Sequence, residues 1–177
     1  RELENSDKRI MPLLTQDFKI LKALDNIDRK YFCQEEYIRN YSGFPMYNHT
    51  KTVYFKSGEE NYEVLLNELK RAEHFIFMEY FILRDGVMWN SIFEILKQKA
   101  REGLDVRLIY DDVGSLMYLP YRYYEEVEQY GIRCEAFNHF VPYLSVVMNH
   151  RDHRKITVID GHTGFTGGIN LGDEYIN

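Results

Sequence analysis

Two hydrophobic patterns alternate along this chain of 177 residues, and their order predicts an α/β fold. Short, almost continuously apolar runs such as Phe75–Leu83 are typical of buried strands, whereas stretches such as Glu60–Ala72 place apolar residues on one stripe of a helix. The pattern predicts strands at Thr52–Phe55, Phe75–Leu83, Val106–Tyr110, Ile132–Phe137 and Ile156–Ile159. It predicts helices at Gln16–Lys30, Glu60–Ala72, Asn90–Arg101 and Leu119–Tyr130. Strands joined by such helices favour right-handed crossovers, so we expect a mixed, largely parallel sheet between helices, an α/β/α sandwich.

The first 50 residues differ from the rest, because they show one helical pattern and no evident chemistry. We expect residues 1–50 to form a helical and loop entry segment, and residues 51–177 to form the domain that carries the core. The chain starts at Arg1 rather than at a methionine and ends shortly after its main motif. We therefore expect both ends to be cut from a longer protein.

Composition narrows the class of function. The net charge of −6 argues against a general nucleic-acid binder, since polyanions are normally bound by a basic surface. Cys33 and Cys134 are too few for a disulfide framework, which favours a reducing compartment. No run approaches the roughly 18 apolar residues of a membrane span, and no signal peptide is visible. We expect this part of the protein to be soluble or peripheral to a membrane.

The candidate chemistry lies near the C-terminal end of the chain. His153 and Lys155 occupy alternate positions before the apolar run Ile156–Ile159, so in a strand both side chains leave the same face of the sheet. A histidine is a nucleophile or proton carrier near neutral pH, and a lysine is a fixed positive charge. That pair suits attack on a phosphate, although a histidine two residues from a lysine is common and usually has no such role.

The spacing around this pair is far more specific. Asp160 and then Gly167-Gly168-Ile169-Asn170 complete the pattern H-x-K-x(4)-D-x(6)-G-[GS]-x-N, with every fixed position filled. The pattern resembles the signature of the phospholipase D superfamily. Asn-His-Arg before it and Gly-Asp-Glu-Tyr-Ile-Asn after it resemble the N-terminal half of bacterial cardiolipin synthases in particular. The resemblance implies a phospholipase D-like domain that is one half of a two-motif enzyme.

That resemblance also implies a reaction. A phosphatidyl transferase of this kind forms cardiolipin from two phosphatidylglycerol molecules, releases glycerol, and passes through a phosphohistidine intermediate on His153. Lys155, Asn170 and Gly168 would bind the substrate phosphate. Asp160 would orient the site, directly or through backbone contacts. The resemblance implies neither a metal nor another cofactor.

One part of this chemistry is missing from the sequence. The leaving alkoxide needs a general acid, and one histidine cannot be both nucleophile and acid in the same step. In this superfamily the acid is the histidine of a second motif copy, whereas His150 and His162 lack its surroundings. We expect the second copy in the same parent chain or in a dimer partner, and we expect this chain to be inactive alone.

Several acids need an interpretation. Glu79 interrupts an apolar run, and a buried carboxylate is costly unless paired, so we expect it to meet a histidine or lysine of the site or to face outward. An acid on the second ring nitrogen of His153 would fix its tautomer and stabilise the cation formed on attack. The candidates are Glu79, Asp173 and Glu174, and we favour Glu174, because a glycine two residues before it lets the chain turn.

Two further stretches allow more than one interpretation. The paired acids of Asp111–Ser115 could bind magnesium, but the resemblance implies a metal-free turn that shapes the pocket. Met117–Tyr124 and Phe140–Leu144 are rich in aromatic residues, which suits either ordinary packing or contact with lipid headgroups.

Three classes of function remain open. The leading one is the catalytic half of a membrane-bound cardiolipin synthase, whose partners are phosphatidylglycerol in a membrane and the second motif half. The second is a single-motif phosphodiesterase or nuclease that is active as a homodimer, which the net charge disfavours. The third is a non-catalytic fragment.

Overall fold

The computed structural model describes residues 9–140 and 150–176. The chain divides into two compact units, residues 1–54 and residues 55–177. Within the described residues, none of the helices combines the length and the apolar character that crossing a membrane would require.

The first unit contains helices α1 (Phe18–Ile27) and α2 (Arg29–Ser42), preceded by a 3-10 turn at Met11–Leu13. The helix predicted at Gln16–Lys30 is confirmed over Phe18–Ile27 but ends earlier than predicted, because Asp28 adopts an extended conformation that ends α1. The Asp28 carboxylate then accepts the backbone N–H of Lys30 and caps α2, a position that aspartate favours. The strand predicted at Thr52–Phe55 is wrong, since these residues have no regular structure.

The second unit is an α/β domain around a five-stranded sheet with the order β3-β2-β1-β4-β5. Its strands are β1 (Phe75–Tyr80), β2 (Asp105–Asp111), β3 (Arg133–Phe137), β4 (Lys155–Ile159) and β5 (Thr163–Thr166). Its helices are α3 (Gly58–Arg71), α4 (Val87–Arg101), α5 (Asp112–Ser115) and α6 (Tyr123–Glu128), and a 3-10 turn spans Asp173–Tyr175. The predicted α/β class is confirmed.

The sheet is mixed, as expected. The helical crossovers make β1, β2 and β3 parallel, whereas β4 lies antiparallel to both β1 and β5. The turn between β4 and β5 contains Asp160 and Gly161, both with positive φ, which suits a tight hairpin. Antiparallel pairing turns the start of β4 towards the end of β1, and this brings the motif to the edge where β1 and β2 end.

The main core lies on one face of the sheet. Alternate residues of β1, including Ile76 and Met78, are buried there against apolar side chains of α3 and α4 such as Leu65 and Trp89. The opposite face of β1, with Phe77 and Glu79, is only half-buried. The described helices of this unit therefore pack against the face that also carries Lys155 and the buried residues of β4.

Candidate active site

Lys155 begins β4 and is buried on the core face of the sheet, opposite Tyr80 at the end of β1. Its Nζ donates to the backbone carbonyl of His153 at 2.8 Å. The same Nζ lies 5.0 Å from the ring centroid of Phe81, the first residue after β1. The ammonium group is thus held at the end of β1 and not in bulk solvent.

His153 lies two residues before β4 and is exposed. His153 therefore lies outside the strand, although the sequence pattern predicted that His153 and Lys155 belong to the same strand. Its ring still lies on Phe81, with 4.7 Å between the ring centroids. Phe81 contacts both side chains, and this shared contact brings the imidazole and the ammonium group together.

The surroundings of Lys155 favour an anionic ligand. Burial lowers the pKa of Lys155, and the charge of Asp152 acts in the opposite direction. Burial also raises the pKa of the neighbouring Tyr80 to about 12, so this hydroxyl is neutral and supplies no negative charge. No carboxylate of the described residues lies within ion-pair distance of the Lys155 ammonium. A buried cation that lacks a direct ion pair is stabilised by binding an anion.

Asn170 lies close to this pair and has a fixed orientation. Its Oδ1 accepts the backbone N–H of Ile82 at 3.1 Å, and its Nδ2 donates to the Tyr175 hydroxyl at 2.9 Å. Nδ2 carries two hydrogens, so one donor remains for a phosphate oxygen. Gly168 is exposed, and a Cβ added there would meet no atom within 4 Å, so its backbone borders open space.

Asp160 follows the opposite end of β4 from Lys155, roughly 16 Å away at the rise per residue of a strand. Its carboxylate accepts the backbone N–H groups of Glu73, His74 and Phe75, each at 2.8 Å. Burial acts to raise the pKa of Asp160, but the three hydrogen bonds outweigh it and the pKa lies below its ordinary value. These contacts support orientation of the site through the backbone and not direct contact with a substrate.

Glu79 does not approach the imidazole. The register pairs Glu79 with Ile156, which places it on the face opposite Lys155. Its carboxylate accepts from Arg154 at 2.9 Å. Burial raises the pKa of Glu79 and a hydrogen bond with Asp152 adds to the increase, while Arg154 opposes it. The expectation that Glu79 meets a histidine or lysine is therefore wrong.

The two other candidate acids also have different partners. Glu174 forms an ion pair with Arg84 at 3.3 Å. Asp173 accepts the backbone N–H groups of Val87 and Met88 and caps α4. Within residues 9–140 and 150–176, the structure gives the imidazole of His153 no hydrogen-bond partner, so the expected pairing with Glu174 is not formed there.

Comparison with known proteins identifies the family of this chain. Residues 65–177 match the family model described as "Cardiolipin synthase, PLD-like domain". The chain belongs to this cardiolipin synthase family. An uncharacterized protein of Streptococcus mutans is 41% identical over 99% of the chain and 38% of that protein. A protein named cardiolipin synthase 2 from Bacillus cereus is 46% identical over 72% of the chain and 25% of that protein.

This cardiolipin synthase-family chain thus spans well under half the length of these curated relatives. Among solved structures, the phospholipase D family member Nuc from Salmonella typhimurium matches with a TM-score of 0.46 and 19% identity, over 64% of this chain and 66% of that one.

Sequence reasoning missed one residue that positions the family motif. Asp111 at the end of β2 is fully buried, and its carboxylate accepts the backbone N–H groups of Gly114 and Asp152, each at 2.9 Å. Arg151 pairs with the same carboxylate at 3.3 Å. The strand-end turn predicted at Asp111–Ser115 is therefore confirmed. The signal in the sequence was an acid directly after a buried strand, but its partners lie 40 and 41 residues further along the chain.

The two acids of that turn are held by donors of the protein itself. Asp111 accepts the three bonds described above, and Asp112 accepts the backbone N–H of Phe140 at 2.7 Å. In the part of the chain that the structure describes, no three histidine, cysteine or acidic side chains are grouped as metal ligands. Most of the aromatic stretch Phe140–Leu144 lies outside the described residues.

Proposed function

We propose that this chain is the catalytic half of a phosphatidyl transferase that makes cardiolipin from two phosphatidylglycerol molecules. The observation that carries the proposal is the buried ammonium group of Lys155, which faces the same phenyl ring as His153 and has no carboxylate of the described residues within ion-pair distance. A phosphodiester supplies the missing negative charge, and the exposed imidazole supplies a nucleophile. The family model and the named relatives support the lipid class of the substrate.

The first half of the reaction transfers a phosphatidyl group to the protein. A ring nitrogen of neutral His153 attacks phosphorus, and the P–O bond to the glycerol headgroup breaks. The negative charge on the non-bridging oxygens is stabilised by Lys155 and by the remaining N–H of Asn170. The leaving glycerol oxygen takes a proton from a general acid that a second motif copy supplies.

The second half of the reaction returns the phosphatidyl group to a lipid. The glycerol hydroxyl of another phosphatidylglycerol gives its proton to that same acid, now in its basic form, and attacks phosphorus. The P–N bond to His153 breaks, and cardiolipin forms. Two phosphatidylglycerol molecules thus yield one cardiolipin and one glycerol, without net proton change. Because the general acid comes from outside this chain, the chain alone is inactive.

The substrate also implies a location. Both phosphatidylglycerol molecules are membrane lipids, so the domain acts at the membrane surface on which they lie. Lys155 and Asn170 recognise the phosphate and not the headgroup that leaves. The reaction therefore needs the mouth of the site to lie at the depth of the lipid phosphates.

The test uses the full-length protein that contains this chain and vesicles of phosphatidylglycerol. We expect cardiolipin and glycerol in equal amounts, and a loss of about 10³-fold or more in rate for His153→Ala. His162→Ala is the matched control, because His162 is exposed in the hairpin turn and bonds to Thr163. Cleavage of single-stranded DNA without lipid transfer would replace the proposal with the homodimeric nuclease, and lipid transfer that survives His153→Ala would refute the assigned nucleophile.

A further inference from the structure

An exposed apolar surface lies on residues 113–121, which we call the rim segment. Tyr121 is 90% exposed and Met117 is 86% exposed, which is high for side chains of this size. The apolar and aromatic side chains of this segment that are classed as exposed are Val113, Leu116, Met117, Tyr118 and Tyr121. Contiguous apolar surface of this kind marks a binding surface more often than scattered apolar residues do.

The rim segment begins directly beside the candidate active site. A Cβ on Gly114 would lie 2.9 Å from the ring of Phe81, so the backbone of the segment packs against the residue that holds His153 and Lys155. Ser115 accepts the backbone N–H of Leu83 at 3.1 Å and donates to the carbonyl of Phe81 at 3.4 Å. The rim segment thus starts at Phe81, the residue that holds the candidate site together.

The segment is fixed at both ends. Ser115 is buried at its start. Two residues after its end, Tyr123 is buried and its hydroxyl accepts the Trp89 indole N–H at 3.0 Å. Between these anchors Leu119 packs against the core, while Met117 and Tyr121 project outward. The outward side chains therefore belong to a folded loop, and they are exposed without any local unfolding of the chain.

Two arginines lie near the rim segment, and both are paired with acids. The guanidinium of Arg84 lies 5.0 Å from the ring centroid of Tyr118, and Arg122 follows the segment directly. Each arginine also pairs with an acid, Glu174 and Glu125 respectively. The whole chain carries a net charge of −6, so general electrostatic attraction to anionic lipid is not available. Membrane affinity must then come from local insertion of apolar side chains.

We propose that the rim segment is the surface by which this domain docks on a bilayer of anionic phospholipid, with Met117 and Tyr121 inserted at headgroup depth. This inference rests on the proposed function, because a lipid phosphate must reach His153 while its acyl chains stay in the bilayer. Tyrosine suits this depth, since its ring is apolar and its hydroxyl is polar. Arg84 beside Tyr118 lies where lipid phosphates would be.

The test measures binding of the 177-residue chain to vesicles of phosphatidylglycerol and phosphatidylcholine by co-sedimentation. The double variant Met117→Ser with Tyr121→Ser should lower the partition coefficient at least about tenfold. The matched control is Val53→Ser with Tyr54→Ser, an exposed pair of similar chemistry outside the rim. A second readout is Met117→Trp, whose emission should shift to the blue with vesicles, because the native Trp89 is already buried.

The outcomes separate this inference from the proposed function. Cardiolipin formation by the full-length rim variant in detergent-solubilised phosphatidylglycerol should stay within about twofold of the wild type, whereas failure of the wild type in that assay would count against the proposed function alone. Unchanged vesicle binding by the rim variant, or an equal loss in the control, would overturn the docking surface. So would self-association that the rim variant abolishes without any effect of vesicles, because the rim would then join two copies of the chain.

Discussion

The carboxylate of Asp111 accepts the backbone N–H of Asp152 at 2.9 Å, one residue before His153. The same carboxylate caps the turn that packs on Phe81, through the backbone N–H of Gly114. It therefore joins the two elements that meet at the imidazole, the segment that carries His153 and the ring on which His153 lies. The position of the candidate nucleophile is set by a residue of β2 as well as by its own strand.

Asp111→Asn should lower kcat about tenfold to a hundredfold with little change in KM. An asparagine keeps the volume but offers one acceptor where the carboxylate offers two, so the segment before His153 shifts, and misplacement by about 1 Å costs this much. The substitution should also destabilise the fold by about 1–3 kcal/mol, since a buried donor loses its acceptor. Steady-state kinetics and thermal unfolding of the full-length protein measure both effects.

Asp112→Asn is the control for this experiment. Asp112 is the adjacent acid in the same turn, and its described contacts are with Phe140 and His139 and not with residues 150–154. We expect its kcat within about threefold of the wild type. Equal rates in both variants would show that Asp111 supports the fold without positioning His153.

Lys155→Met should stabilise the fold at neutral pH while it removes activity. Methionine fills a similar volume without a buried charge, so a gain of about 0.5–2 kcal/mol is expected, as for other residues that serve function at the expense of stability. Chemical denaturation of the variant and the wild type gives the difference. A variant that is both inactive and less stable would show that the ammonium group holds the structure together.

The same pair of proteins should show a defined pH dependence. Burial lowers the pKa of Lys155 in the folded state, so between that pKa and the unfolded value of about 10.4 the unfolded chain binds more protons. The stability of the wild type should therefore rise relative to Lys155→Met as the pH increases through this window. A difference in unfolding free energy that stays constant across it would contradict the lowered pKa.

Asp160→Asn should lower the free energy of unfolding and leave the reaction rate per folded molecule unchanged. The three backbone donors lose their shared carboxylate, which should cost about 1–3 kcal/mol at neutral pH. Because the folded pKa lies below the ordinary value, this contribution is present above the unfolded pKa of about 3.9 and is lost as the pH falls through the folded pKa. The test measures the free energy of unfolding of both proteins as the pH is lowered, together with the reaction rate per folded molecule. A large fall in rate without destabilisation would return Asp160 to the reacting groups.

Glu174→Gln should leave the acidic limb of the pH–rate profile in place. Its described ion pair is with Arg84 and not with the imidazole, so removing its charge should not change the protonation of His153. The pH dependence of kcat/KM for the two proteins is the measurement. A shifted acidic limb would restore Glu174 as the acid that orients His153.

Most of the sheet could be predicted, because β1 is apolar almost throughout and β2 and β3 carry a buried apolar residue at every second position. β5 could not, since Thr163-Gly164-Phe165-Thr166 is short and only half apolar, and antiparallel pairing with β4 defines it. The apolar pattern predicts that α4 starts at Asn90, three residues later than the Val87 start in the structure. Its cap is Asp173, which lies 86 residues beyond Val87 and leaves no local signal.

The site divides in the same way. The spacing of His153 and Lys155 locates the candidate catalytic pair, because both side chains belong to one short segment. The roles of the acids depend on strand register. The register places Glu79 opposite Ile156, on the face of the sheet that does not carry Lys155. Alternation within a single strand does not reveal which residues of its neighbour share a face. Contacts such as Asp111 with Asp152 follow only from the three-dimensional arrangement.

If His153 is the nucleophile, it becomes covalently bound to the phosphatidyl group during each turnover, and this intermediate can be trapped by rapid quenching without acid. Full-length protein is mixed with phosphatidylglycerol labelled at phosphorus, quenched within one turnover, digested and mapped by mass spectrometry. We predict an acid-labile label on the peptide that contains His153, absent from His153→Ala and retained in His162→Ala. A label on a histidine outside this chain that persists in His153→Ala would contradict the claim, because His153 would then act as the general acid.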